Sequence, residues 1–120
     1  MPALNVKMTV YRDKGGSFLY NYMPSSNAID KNLSIKFNID IIDKDITKIL
    51  FKVENHGDEA KRASEDLGNH TTELNIDALN RYETKTHWET TCYRGLHFMI
   101  IEAYAGCKIK SKSKIGVFIQ

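Results

Sequence analysis

Ser34-Ile35-Lys36-Phe37-Asn38-Ile39-Asp40-Ile41 alternates polar and apolar side chains without a break. A period of two puts Ile35, Phe37, Ile39 and Ile41 on one face of an extended strand, whereas a helix would scatter them around its axis. Phe37 and Ile39 should therefore point inward together, with Lys36 and Asn38 outward. Val6, Met8 and Val10 alternate with Lys7 and Thr9 in the same way, and Ile49, Phe51 and Val53 with Leu50, Lys52 and Glu54. Residues 87–93 hold Trp88, two threonines, Cys92 and Tyr93, side chains that suit a pleated surface. Residues 97–104 are apolar on both faces, the pattern of a central strand. Residues 107–113 and 115–119 read as two closing strands.

Turn chemistry falls between these runs. Asp13-Lys14-Gly15-Gly16 separates the first strand from a second at 17–23, which Pro24-Ser25-Ser26-Asn27 ends. Asp43-Lys44-Asp45 predicts a tight hairpin between the strands it joins, and Arg94-Gly95 and Ala105-Gly106 punctuate the last third. Only the middle departs from period two. Ala60, Ala63 and Leu67 recur at spacings of three and four behind Gly57 or Asp58 as cap, which predicts a short helical insertion near residues 58–67. Another turn of helix is expected at 76–82. Seven or eight short strands at this spacing predict an all-β fold. The expected architecture is a single antiparallel β-sandwich, immunoglobulin-like in outline, spanning residues 1–120 as one domain.

Composition agrees with such a core. Of 120 residues, 42% are hydrophobic and 27% charged, which excludes a disordered or fibrous chain. A chain this long should bury roughly 65% of its unfolded surface, enough for one core without staples. Met1-Pro2-Ala3 opens no cleavable signal pattern and only Cys92 and Cys107 are present, so a cytoplasmic chain with structural thiols in strands is expected. The run Phe98-Met99-Ile100-Ile101 falls far short of the ~20 residues of a membrane helix, so no membrane partner is expected. Seventeen basic side chains against 15 acidic ones leave a net charge of +2, too balanced for a protein that coats duplex nucleic acid.

Catalytic signatures are missing from the string. It has no Cys-x-x-Cys, no His-Glu-x-x-His, no phosphate loop and no nucleophile elbow, and His70-Thr71-Thr72 lacks the second His-x-Thr or His-x-Ser that two-histidine phosphoester chemistry requires. No metal, cofactor or catalytic residue is expected. Features suited to binding are present instead. Lys108, Lys110, Lys112 and Lys114 align four ammonium groups along one strand face, either to protect an edge strand against aggregation or to hold phosphates. Trp88, Tyr82 and Tyr93 are either core aromatics or stacking surfaces for a base. The corner Asn55-His56-Gly57-Asp58-Glu59 follows a strand and opens a helix, and reads equally as a turn or as an anion site.

Two segments then pair. Val53-x-Asn55-x-Gly57-x-Glu59-Ala60 is followed by Glu89-Thr90-Thr91-x-Tyr93-x-Gly95-x-His97, and then by Glu102-x-Tyr104. Together they resemble the adenylyl/guanylyl and SMODS C-terminal sensor (AGS-C) domain of bacterial antiphage signalling of the CBASS type, over roughly residues 33–119. The resemblance implies a non-catalytic domain that binds a cyclic di- or oligonucleotide second messenger, with a separate effector or synthase polypeptide as a further partner. Its pocket would lie between the corner of Asn55 and His56 and the turn at Arg94-Gly95. Phosphates would meet Arg62, Arg94 or the strip at Lys110 and Lys112, while Trp88, Tyr93 or His97 would contact a base. Family members often carry Leu-Arg-Gly where this chain has Leu67-Gly68, so Arg62 or Arg94 would take that arginine's place. A messenger sponge, or a protein-interaction sandwich without a small ligand, are the other expectations.

Overall fold

A computed structural model of the chain describes residues 2–23, 27–63 and 70–120. Among the described residues there are eight strands: β1 (Leu4–Tyr11), β2 (Phe18–Tyr22), β3 (Ser34–Ile41), β4 (Lys48–Glu54), β5 (His70–Asn75), β6 (Lys85–Thr90), β7 (Gly95–Ala105) and β8 (Lys108–Ile119). One sheet runs β2-β1-β3-β6 and the other β5-β4-β7-β8, with antiparallel pairing throughout. The fold is an all-β sandwich of two four-stranded sheets, as the alternation predicts. Val10, Phe37 and Ile39 from one sheet meet Ile49, Phe51 and Ile101 from the other, all at most 2% exposed. Lys36 and Asn38 sit between them on the outer face, only half-buried.

Several local expectations need correction. Asp43-Lys44-Asp45 is not a hairpin: β3 and β4 belong to different sheets, and the turn carries the chain across the sandwich. The Asp45 N–H donates to Asp43 Oδ1 at 2.9 Å, and Ile46 plugs the corner at 0% exposure. The closing strand is continuous, because its alternation of lysine with serine or isoleucine satisfies an edge position as well as an apolar run does. The helical insertion, α1, covers Asp58–Arg62 with Ala63 as its C-cap, and residues 64–67 of the expected stretch, like Gly68 after it, lie outside the described residues. So do Pro24, Ser25 and Ser26 of the turn after β2. Residues 77–83 form turns, with Asp77 Oδ1 accepting from the N–H groups of Leu79 and Asn80. Cys92 and Cys107 are exposed outside the strands, Cys92 just after β6 and Cys107 in the turn between β7 and β8. Among the described residues, no helix is long and apolar enough to cross a membrane.

Thr91 locks the end of the sandwich that matters below. It is 1% exposed, its Oγ1 accepts from the Leu33 N–H and donates to the Asp30 carbonyl, both at 2.8 Å, and its own N–H reaches the Leu33 carbonyl at 2.9 Å. The segment entering β3 is thereby tied to the segment leaving β6. Ile29 bridges Ile119 in parallel and covers the last residues of the β8 edge.

Candidate functional site

The sheets part at this end to leave a cleft of about 480 Å3, within the range of small-molecule sites. Its floor is apolar, built from Ile35, Phe37, Val53, Met99, Val117 and Ile119. Asn55, Thr72, His87, Glu89, Thr90 and Tyr93 supply polar groups. Register explains the polar wall: Glu89 stands opposite Ile35 and His87 opposite Phe37, so β6, at the edge of its sheet, turns Lys85, His87 and Glu89 toward the facing sheet. The Lys85 ammonium is spoken for by the carbonyls of Asn80 and Glu83. His87 lies flat on Phe51, with ring centroids 4.4 Å and planes 3° apart, and its Nε2 bonds the Glu89 carboxylate.

Of the residues the sequence singles out, Asn55, Trp88, Tyr93 and His97 border the cleft. The two segments expected to form one site do come together. Gly57 and Gly95 pack backbone to backbone: a Cβ on Gly57 would sit 2.9 Å from the Arg94 carbonyl oxygen, and one on Gly95 3.0 Å from that of His56. Both hold positive φ, 96° and 127°, so glycine is required twice over. His97 is the strut of this junction. Its Nδ1 accepts the His56 backbone N–H at 3.0 Å, so its proton sits on Nε2 and is donated to the Tyr93 carbonyl at 2.6 Å. Burial holds its basicity below the ordinary histidine value, against the opposite pull of that carbonyl. With both nitrogens engaged, His97 offers a ligand only its ring.

The other residues are placed differently. The Trp88 indole faces out of its sheet, tilted against Tyr11 at 5.1 Å with the Lys36 ammonium 5.6 Å from its centroid. The His56 ring meets Phe98 edge-on at 5.6 Å. Arg62 is exposed on α1. Arg94 is 62% exposed and pairs with Glu59 at 3.2 Å, a carboxylate that Lys31 also contacts. The Lys31 hydrogen bond, then that of Arg94, holds Glu59 below the usual carboxylate range. Two cations share one carboxylate there, and Arg94 directly follows Tyr93 in the chain. Lys110 and Lys112 lie toward the other end of β8, paired with Asp43 at 3.4 Å and Glu102 at 3.8 Å. Glu102 is 5% exposed on the outer face, where Lys52 at 2.9 Å, chiefly, and the Tyr104 hydroxyl keep it ionised. The lysine strip is thus an edge strand laced by ion pairs. Lys31, His87 and the inward turn of Glu89 were missed in the sequence. Period two in residues 85–89 is the signal for the last two, masked because the inward side chains are polar.

Fold and cleft define a class: a β-sandwich with a ligand-sized opening between its sheets, walled by polar edges. The chain belongs to the adenylyl/guanylyl and SMODS C-terminal sensor domain family, whose model matches residues 1–120 and so reaches beyond the motif-bearing stretch. That family is one of sensor domains, distinct from the catalytic nucleotidyltransferase domain, and this supports a sensing role. A search of curated proteins gave no match.

Proposed function

We propose that this domain is a non-catalytic receptor for a cyclic di- or oligonucleotide, with one base inserted between the sheets and the phosphates left at the mouth. The observation that carries the reading is the division of chemistry around the cleft. Among the described residues, no lysine or arginine lines the cleft, while Arg94, next in sequence to Tyr93, shares the Glu59 carboxylate with Lys31. A flat, uncharged heterocycle suits the interior, because apolar walls pack its faces and Asn55 and Thr72 stand at its edges. A phosphate suits the outside, where the guanidinium of Arg94 can address two oxygens at once. Membership of a sensor family supports the same role, and antiphage signalling in the cytoplasm is the setting that goes with it.

Thermal shift against a panel of cyclic di- and trinucleotides tests this. A ligand at 100 times its Kd should raise stability by about 2.7 kcal/mol. A flat response across the panel would overturn the proposal. The protein-interaction reading has one observation in its favour: Phe18, 54% exposed, continues the Tyr11–Trp88 contact across the outer face of its sheet. It would be preferred if the panel were silent and Phe18→Ala abolished capture of an effector or synthase.

A further inference from the structure

We infer that the cleft also receives Leu79 and Tyr82 of a second copy of this chain, so that copies join head to tail. The inference stands on shape and exposure and shares with the nucleotide reading only the site. Leu79 and Tyr82 are each 91% exposed, the most exposed of the large apolar side chains among the described residues. Exposed apolar residues are ordinary singly, but these two stand three positions apart on a loop held in one shape by its polar groups. Asp77 Oδ1 accepts from the Leu79 and Asn80 N–H groups, and Asn80 Oδ1 accepts the Asp77 N–H at 2.8 Å. Arg81 Nη1 donates to the Ile46 carbonyl at 2.7 Å, and the ammonium of buried Lys85 closes on the Asn80 and Glu83 carbonyls. A loop pinned on both sides of Tyr82 has little ordering entropy left to lose, which favours its insertion into a partner.

Register puts this knob and the cleft at opposite ends of the sandwich. Lys85, where the loop enters β6, pairs with Ile39, whereas Thr90 at the cleft pairs with Ser34. In the facing sheet Asn75, where the loop leaves β5, pairs with Lys48, and cleft-lining Val53 lies at the far end of that ladder. No copy can therefore fill its own cleft, while every copy carries both halves of the contact. The halves suit each other. The cleft offers an apolar floor and polar walls in about 480 Å3, and a tyrosine is an apolar ring with a hydroxyl at its tip. Two different patches meet in such a contact, so it does not close as a two-fold dimer does, and a third copy can add. It is also weak. A filled aromatic side chain buries roughly 150–250 Å2, and with a leucine beside it the contact stays well below the ~1,200 Å2 of stable interfaces. Association is thus a property of concentrated protein.

Sedimentation velocity over a concentration series tests this with the unmodified chain, whose weight-average mass should rise past that of a dimer. Tyr82→Ser, which removes the knob, and Thr72→Trp, which fills the hole, should each weaken association at least tenfold. Mixed together they should form a one-to-one dimer and nothing larger, because the first variant keeps the hole and the second keeps the knob. An unmodified chain that stays monomeric, a mixture that stays monomeric, or association untouched by Thr72→Trp would overturn the inference. So would a plateau at the dimer in the unmodified chain, since knob would then meet knob. None of these results touches the nucleotide reading, because Tyr82→Ser should keep the cleft and bind any nucleotide ligand as the unmodified chain does. Were Thr72→Trp not to fold, alkylation of Cys92, an exposed thiol at the cleft, would decide. It should slow as the unmodified chain is concentrated and stay constant in Tyr82→Ser, and equal behaviour of the two proteins would overturn the inference.

Discussion

His97 shows how far a single side chain can be read in each direction. Its spacing after Tyr93 and Gly95 marks it as special in the sequence, and contact with a base is the function the resemblance attaches to it. In the fold its two nitrogens join the His56 amide to the Tyr93 carbonyl and hold the glycine junction closed. His97→Ala would strand two polar backbone groups, each worth about 1–3 kcal/mol if left unpartnered. Protonation has the same effect by another route, because Nδ1 must stay an acceptor. Since the folded value lies below the ordinary one, the contribution of His97 is complete above its unfolded pKa of about 6.5 and declines as pH falls toward the folded value. Denaturant melts between pH 8 and roughly 5 should therefore show a loss of stability in the native chain that His97→Gln lacks. Equal pH profiles for the two proteins would remove the strut role.

At the scale of the element, β3 carries the fold. Phe37 is 1% exposed and packs near His87, so Phe37→Ala should cost about 3–5 kcal/mol. Lys36, its neighbour on the outer face, covers part of Trp88, and its replacement by alanine should cost no more than about 1 kcal/mol. Similar losses from the two substitutions in urea titrations would contradict the strand register. Strands such as β3 and β4 were legible because one buried face leaves a period-two imprint. Pairing was not legible. Asp43-Lys44-Asp45 makes the same local turn in a hairpin as in a crossing between sheets, and the choice is made by β1 and β6, far along the chain, which claim both edges of β3. The site divides on the same line. Gly57, Gly95 and Thr91 stand out in sequence and proved architectural, whereas His87 and Glu89 gain meaning only once Phe37 and Phe51 fix their surroundings.

For the molecule as a whole, the question is which of two surfaces would receive the anionic ligand proposed above. The lysine edge of β8 has the charge, yet Lys110, Lys112 and Lys114 each face a carboxylate within 4 Å, and an incoming phosphate would have to displace Asp43, Glu102 or Glu54. The cleft has the shape, and its walls come from both sheets, so an occupant would tie the two halves of the sandwich together. These alternatives give opposite results when each surface is altered separately. Thr72 lines the cleft from β5, in register with Phe51, and an indole there would fill the space a base needs while suiting a strand. Thr72→Trp should abolish the thermal stabilisation by cyclic nucleotides and leave the melting temperature of the free protein within a few degrees. The double change of Lys110 and Lys112 to alanine should leave affinity within about twofold at fixed ionic strength, since both ammonium groups lie toward the other end of β8 from the cleft and Lys52 still pairs with Glu102. Binding that survives Thr72→Trp but falls tenfold in the lysine variant would move the site to the β8 edge.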